Sequence, residues 1–191
     1  RSYGLRVNTL KLSPEQFRQI SPWELEPIPW SPEGFYYPSA ARPGPHPYFY
    51  AGLYYIQEPS AQAVGVLADP QPGERVLDLA AAPGGKTTHL AELMNDQGHI
   101  LACDIHPRRL ETLRGLAQRL GLNCIEPHLL HPQEPPPSGP FDAVLVDAPC
   151  SNTGVLHRRP EARWRWRTQD LKTLTRRQAD LLRQALAAVR P

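Results

Sequence analysis

The sequence lacks any apolar run close to the roughly 18 residues that a membrane-spanning helix needs. It also lacks a signal peptide with a basic start and an apolar centre. We therefore expect no membrane partner. The chain begins with Arg1 rather than methionine, so we expect that an upstream part has been removed.

Cysteine is scarce. Cys103, Cys124 and Cys150 are scattered, without the spacing of a metal site. A sparse, odd count is typical of reduced, intracellular proteins, so we expect a cytoplasmic protein without bound metal. Proline, in contrast, is abundant, and its 23 residues cluster at 22–47 and 127–140. These clusters indicate connecting segments rather than a disordered chain.

Net charge is only +2, but it is unevenly distributed. Residues 61–156 carry six Lys and Arg against eleven Asp and Glu, whereas residues 157–191 carry ten against three. This asymmetry favours a basic surface for an anionic polymer. A solvated basic helix is the simpler alternative, which charge alone does not exclude.

Hydrophobic periodicity divides the chain into alternating strands and helices. Strands are predicted at 5–10, 75–79, 99–104, 123–126 and 141–147, and helices begin near Pro14, Pro59, Lys86, Pro107 and Thr168. Ser13 and Thr168 are predicted to cap the first and last helices. Apolar residues share one face of the last helix, at Leu171, Leu174, Leu181, Leu182, Leu186 and Val189. This alternation predicts a mostly parallel sheet with helices on both faces.

The most informative stretch is Val76–Thr87, VLDLAAAPGGKT. A buried strand leads through a loop of small residues to a helix, an arrangement that presents backbone N–H groups and the positive helix end to a ligand. Asp104 ends the next apolar run about 20 residues further on, where related folds place the acid for a ribose. The pattern favours a cofactor such as S-adenosylmethionine.

Two other interpretations of this loop are open. The phosphate-binding Walker pattern would end on Gly85-Lys86-Thr87, but its first glycine would fall on Ala80. Asp147 would then be the metal-binding acid of an NTPase. A plain glycine-rich turn is the other alternative, and the order of Asp78, the glycines and Asp104 disfavours it.

Asp147-Ala148-Pro149-Cys150 follows the last apolar strand, and its chemistry suits a planar heterocycle. The acid can bond a ring N–H or an exocyclic amine, and a thiolate can attack the ring or assist elimination. Cys150 as a small apolar turn residue is the alternative. That alternative is favoured for Cys103 and Cys124, which lie in strand patterns.

The basic segment contains Arg163–Arg167, RWRWR, which alternates with period two. If the segment is extended, arginines line one side and tryptophans the other, as in a clamp for a nucleic-acid backbone. If it is helical, that separation is lost. The aromatic residues within 21–48 are expected mainly to pack a small core.

Five stretches together resemble the RsmB/Nop/Sun family of RNA cytosine-5 methyltransferases: LRVNTLK (5–11), QEPSAQ (57–62), VLDLAAAPGGKTTHLAE (76–92), FDAVLVDAPCSNTGV (141–155) and RRPEARW (158–164). The first half is most similar to the RsmF branch, and the residues after 150 to the RsmB branch. The resemblance implies an α/β fold with a Rossmann-like class I S-adenosylmethionine-dependent core at 51–191. It further implies strand order 3-2-1-4 and a small N-terminal α+β segment of RNA-binding type at 1–50. With only four core strands present, strand 142–147 should be an unpaired edge unless a loop, the final helix or another chain covers it.

The resemblance also implies roles for single residues. S-adenosylmethionine would contact Ala80, Ala81, Ala82, Pro83, Gly84, Gly85, Lys86, Asp104 and Asp147. Asp147 would serve the methionine end or the target cytosine, and Cys150 would help to release the methylated base. RNA, expected to be ribosomal RNA of the small subunit, would be held by Arg158, Arg159, Arg163, Arg165 and Arg167. In the implied reaction a thiolate adds to C6 of a flipped-out cytosine before C5 is methylated.

The sequence departs from the family pattern in three places. The family's nucleophile is a second cysteine, in a Thr-Cys pair on a later strand, and this sequence ends at Pro191 before it. We therefore expect that this chain alone does not complete the reaction. His128–His131 stands where the family has an acid, and Asn152 where it has a smaller residue. A non-catalytic RNA-binding module, or Cys150 itself as nucleophile, remain alternatives.

Overall fold

The computed structural model describes residues 3–131, 134, 137–156, 160–165 and 167–190. In chain order the elements are β1 (Tyr3–Val7), α1 (Pro14–Ile20), β2 (Glu26–Ile28), β3 (Ser31–Tyr37), α2 (Pro47–Tyr50), β4 (Tyr54–Ile56), α3 (Pro59–Ala68), β5 (Arg75–Asp78), α4 (Gly85–Leu93), β6 (His99–Asp104), α5 (Pro107–Leu120), β7 (Ile125–Leu129), β8 (Ala143–Leu145), a 3-10 turn (Thr153–Val155), α6 (Ala162–Arg165) and α7 (Thr168–Ala188). The strands form two four-stranded sheets.

The first sheet is antiparallel, with strand order β2-β3-β1-β4. Its core contains Leu5, Phe17 and Tyr54, with Trp23 and Tyr48 packed at the margin. The prediction that aromatic residues of the 21–48 segment pack a small core is therefore confirmed. Because β4 pairs with β1, this sheet extends beyond the predicted segment boundary at residue 50.

The second sheet is parallel, with strand order β7-β6-β5-β8. Alternate residues of β5 enter different cores: Val76 packs with α4 residues on one face, and Leu77 packs with Ala185 of α7 on the other. This is the predicted α/β arrangement with the order 3-2-1-4. β8 lies at the edge of the sheet, as predicted, and just before it Phe141 forms a parallel bridge with Val189 at the end of α7.

Several element boundaries differ from the predictions. β1 ends at Val7 because Asn8 starts a turn, in which its carbonyl accepts a hydrogen bond from the Lys11 N–H. β7 begins at Ile125 rather than 123, since the Asp96 carboxylate binds the N–H groups of Asn123 and Cys124. β8 is confined to three residues. Ser13 caps α1 as predicted.

The last helix, α7, was predicted incorrectly in two respects. Arg167, not Thr168, is its N-cap, and the Asp170 carboxylate accepts a hydrogen bond from the Arg167 N–H at 2.9 Å. The small residues Ala185 and Ala188 are buried against the sheet, whereas Leu171, Leu182 and Leu186 of the predicted apolar face are exposed. Within the described residues, no helix combines the length and apolarity needed to cross a membrane.

Candidate active site

The loop between β5 and α4 is held from two sides. The Ala81 N–H donates to the Cys103 carbonyl of β6 at 2.9 Å, and the Arg109 guanidinium of α5 donates to the Ala82 carbonyl. Gly84 is the N-cap of α4 with φ of +108°, a conformation that L side chains rarely adopt. The loop therefore has a defined shape at the carboxyl end of the sheet, where ligands bind in such folds.

This loop forms one wall of a cavity of about 240 Å³. Residues 80–86 line one side, and Asp78 and Asp147 lie at the strand ends. The opposite wall comes from the end of β4 and the start of α3, with Tyr55, Ile56, Gln57, Glu58 and Ala61. The cavity thus lies between the two sheets, and both contribute to it.

Lys86 and Asp147 join the two sequence motifs across this cavity. Lys86 Nζ lies 2.5 Å from Asp147 Oδ2, with side chains 24% and 51% exposed respectively. The corner that follows Asp147 is fixed by α7, because Gln178 Nε2 donates to the Pro149 carbonyl at 2.8 Å. The structure therefore brings the predicted cofactor loop and Asp147 together.

Cys150 and Asp104 do not line this cavity. The Cys150 thiol is exposed and lies 3.7 Å from Asn152 Oδ1. The Asp104 carboxylate is buried, accepts a hydrogen bond from the His106 N–H at 2.8 Å, and lies 3.8 Å from an Arg109 nitrogen. Asp104 is next to the loop through Arg109, which also binds the Ala82 carbonyl.

Asp78 is buried at the base of the cavity. Burial raises the pKa of its carboxyl to about 6, although hydrogen bonds from the Thr87 hydroxyl and the Ala80 N–H oppose the shift. The Thr87 hydroxyl donates to Asp78 at 2.8 Å and is itself fully buried. Thr87 is therefore engaged inside the protein, whereas a phosphate-binding loop would need this hydroxyl for a metal ion.

The basic segment adopts a different conformation from the one that the clamp requires. Ala162–Arg165 is helical, so the alternation of an extended strand is wrong for these residues. Trp164 is 86% exposed and anchors no core. Arg163 and Arg167 are exposed, while Arg158, Arg159 and Trp166 lie outside the described residues. Arg165 belongs to the helical turn.

Sequence reasoning missed the cavity wall that the N-terminal sheet supplies. Tyr55, Gln57 and Glu58 line the cavity, yet none was predicted as a site residue. The available signal was the QEPSAQ stretch, which begins at Gln57 and was used only for the family resemblance. No arrangement of three or more His, Cys, Asp or Glu side chains suited to a metal ion occurs in the part of the chain that the structure describes.

A buried hydrogen bond links the N-terminal sheet to helix α4. His89 Nε2 lies 2.5 Å from the Glu33 carboxylate, and its Nδ1 has no hydrogen-bond partner among the residues that the structure describes. Burial lowers the pKa of His89 to about 4, helped by the nearby Arg6 charge and opposed by Glu33. His89 is therefore neutral and donates from Nε2 to the Glu33 carboxylate.

This histidine gives a prediction for the pH dependence of stability. Between its folded pKa of about 4 and its ordinary value of 6.5, the unfolded chain binds more protons than the folded chain. The contribution of His89 to the free energy of unfolding is therefore fully present above pH 6.5 and is lost as the pH falls towards 4. Relative to His89→Gln, the wild type should lose up to about 3 kcal/mol over that range.

Urea unfolding of both proteins at several pH values measures this difference. Asp78, whose pKa is raised to about 6, changes stability in the opposite direction, but it is common to both proteins and cancels. Parallel pH profiles for the wild type and His89→Gln would contradict the assignment of a neutral buried His89.

Comparisons with known proteins agree with this architecture. Residues 65–191 match the model of the 16S rRNA methyltransferase RsmB/F family, and residues 1–59 match the N-terminal domain of 16S rRNA methyltransferase RsmF. Among curated relatives, a probable ribosomal RNA small subunit methyltransferase B of Synechocystis sp. is 42% identical over 95% of this chain. A ribosomal RNA small subunit methyltransferase F of Cronobacter sakazakii is 37% identical over 98%.

The chain spans 42% of the length of each of these two relatives. Among solved structures, a methyltransferase homologue from Pyrococcus horikoshii superimposes with a TM-score of 0.85 and 36% identity. That match covers all of this chain and 61% of the other. The similarity therefore includes both sheets and the cavity between them.

Proposed function

We propose that this chain, which belongs to the RsmB/F family of 16S rRNA methyltransferases, holds S-adenosylmethionine in the cavity between its two sheets. The family is S-adenosylmethionine-dependent, as predicted from the sequence. The observation that carries the proposal is the shared cavity of the 80–86 loop and Asp147. The reaction we propose is methylation of C5 of a cytosine in small-subunit ribosomal RNA.

The residues present fit this cofactor. The methionine part of S-adenosylmethionine carries one ammonium and one carboxylate, and Asp147 and Lys86 offer a partner of opposite charge for each. Gly84 and Gly85 leave space at the loop, since a Cβ at Gly85 would lie 3.1 Å from the Tyr55 ring. We propose Ala80–Lys86 and Asp147 as direct contacts, and Asp104 as the acid for the ribose side.

When bound, the cofactor supplies an activated methyl group. The chain's own contribution, in our proposal, is to orient the donor and to stabilise charge on the target ring through Asp147. We propose that Cys150, exposed beside that corner, assists release of the methylated base. The attacking thiolate of the whole family protein is proposed to come from another cysteine.

We propose that RNA contacts come from the basic segment, with Arg158, Arg159, Arg163, Arg165 and Arg167 holding phosphates. The exposure of Arg163 and Arg167 supports this, and neither forms an ion pair with another described side chain. Their contribution would be electrostatic and salt-dependent rather than base-specific. We further propose the cytoplasm as the place of action, in keeping with three free cysteines.

Calorimetric titration with S-adenosylhomocysteine tests the cofactor proposal. The wild type should bind it, and Lys86→Met should bind about tenfold more weakly because a charge-assisted contact is lost. Lys172→Met is the matched control, since Lys172 is exposed on α7, and its affinity should equal that of the wild type. Binding of ATP with magnesium but not of S-adenosylhomocysteine would overturn the proposal in favour of an NTPase.

A further inference from the structure

Arg6 is fully buried on β1 and does not line the cavity. Its guanidinium nevertheless reaches from the N-terminal sheet to the start of helix α4. A guanidinium has five N–H groups, and those of Arg6 meet five acceptor atoms. The acceptors are both Glu92 carboxylate oxygens, the Thr88 hydroxyl, the Gln57 side-chain oxygen and the Gly85 carbonyl.

Three of the residues next to the Arg6 guanidinium line the cavity. Arg6 Nη1 donates to the Gly85 carbonyl at 3.1 Å and also to Gln57, and both residues line the cavity. The guanidinium carbon lies 5.5 Å from the centre of the Tyr55 ring, a third lining residue. Arg6 therefore supports both the loop wall and the opposite wall from behind.

The other contacts fix the guanidinium itself. Arg6 Nε and Nη2 lie 2.9 and 3.0 Å from the two Glu92 oxygens, and Nη2 lies 3.3 Å from the Thr88 hydroxyl. Glu92 and Thr88 are buried on α4 and do not line the cavity, although the Thr88 hydroxyl also lies 3.4 Å from the Gly85 carbonyl. One edge of the planar group is thus anchored on the helix, while Nη1 is left to hold Gly85 and Gln57.

We propose that Arg6 is a positioning residue for S-adenosylmethionine, which acts by fixing the Gly85 carbonyl and Gln57 at the correct separation. This inference rests on the proposed cofactor site. A helix N-terminus binds a ligand through its first N–H groups, so their direction depends on the peptide plane that carries Gly85 and Lys86. Arg6 holds that plane by its carbonyl oxygen.

Arg6→Lys separates this role from that of the charge. A lysine ammonium is compact and can remain paired with Glu92, but it lacks the planar fork that reaches Gly85 and Gln57 at the same time. We expect about tenfold weaker binding of S-adenosylhomocysteine by calorimetry, because a misplaced Lys86 N–H weakens one hydrogen bond to the charged ligand. The Gly85 carbonyl carbon and the Lys86 amide should also shift in NMR spectra of the ligand-free protein.

Glu33→Gln is the matched control. Glu33 also joins the N-terminal sheet to α4, and its carboxylate bonds Ser31 and His89, neither of which lines the cavity. It should lower the thermal midpoint yet leave the affinity for S-adenosylhomocysteine within about twofold of the wild type. Thr88→Val removes one anchor of Arg6 and also the hydroxyl that lies 3.4 Å from the Gly85 carbonyl, and it should give a smaller affinity loss of about threefold in a folded protein.

The outcomes are distinct. If the wild type binds S-adenosylhomocysteine and Arg6→Lys binds it equally well without moving the Gly85 resonance, the positioning role is wrong and the cofactor site stands. If Arg6→Lys does not fold, unchanged affinity in Thr88→Val overturns the role. Equal losses of affinity in Glu33→Gln and Arg6→Lys would show that Arg6 only stabilises the contact between the N-terminal sheet and α4, and would overturn the positioning role. No binding by the wild type would instead refute the proposed function.

Discussion

Replacement of Arg6 by methionine is expected to lower the free energy of unfolding by about 3–5 kcal/mol, the usual cost of leaving one member of a buried ion pair without its partner. Glu92 is almost fully buried, and burial raises the pKa of its carboxyl while Arg6 opposes that shift. Without Arg6, Glu92 must either stay charged in an apolar interface or take up a proton. Both alternatives cost stability. Urea unfolding near pH 7 measures the loss.

The double variant Arg6→Met, Glu92→Leu provides the control. Once both charges are removed, no charge stays buried without a partner, so the double variant should be more stable than Arg6→Met, although Gln57, Thr88 and Gly85 still lose a donor. The two single losses should therefore add to far more than the loss in the double variant. A double variant as unstable as the sum of the single variants would show that Arg6 and Glu92 do not act as a pair.

Gly84→Ala is expected to weaken the binding of S-adenosylhomocysteine by up to about 100-fold, the loss expected when a hydrogen bond to a charged ligand group is broken. Gly84 has φ of +108°, and a Cβ there would lie 2.4 Å from the Leu113 side chain of α5. The substitution must move the loop or the Leu113 side chain, and alanine is strained at this φ. Calorimetric titration measures the affinity.

Gly115→Ala tests whether this effect is specific. Gly115 lies on the exposed side of α5, and a Cβ there would meet no atom within 4 Å. Alanine should raise helix stability by up to about 1 kcal/mol without changing the affinity. If Gly84→Ala binds as tightly as Gly115→Ala, the shape of the loop at Gly84 does not determine cofactor binding.

The cofactor loop could be predicted from the sequence because its determinants are local. An apolar strand, small residues, two glycines and a helix start lie within Val76–Thr87, and each has a direct structural consequence. The approach of Asp147 to Lys86 follows from parallel topology, which brings the carboxyl ends of neighbouring strands to one edge. These elements needed no knowledge of contacts between distant segments.

The opposite wall and its support could not be predicted in the same way. Arg6 alternates with Leu5 and Val7, so the pattern indicates a charged residue on a solvent-facing side of a strand. In the structure that side faces helix α4, and the partner of Arg6, Glu92, is 86 positions away. Periodicity reports which side a residue faces, but not what covers that side.

In the last helix, by contrast, apolar residues that were predicted to be buried are exposed. Its leucines share a face, yet Ala185 and Ala188 make the buried contact, since small side chains allow α7 to approach Phe141 and the sheet. The RWRWR segment likewise carried two periodic interpretations, and its first residues are helical. Sequence alternation over five residues does not decide between them when no neighbouring strand is specified.

The central claim is that both sheets enclose one cofactor cavity. An NMR titration of the isotope-labelled chain with S-adenosylhomocysteine tests it most directly. We expect saturable shifts of the backbone amides of Tyr55, Gln57, Gly85, Lys86 and Asp147 with a single dissociation constant. Shifts confined to one sheet, or a saturable response that leaves Gly85 and Lys86 unchanged, would contradict it.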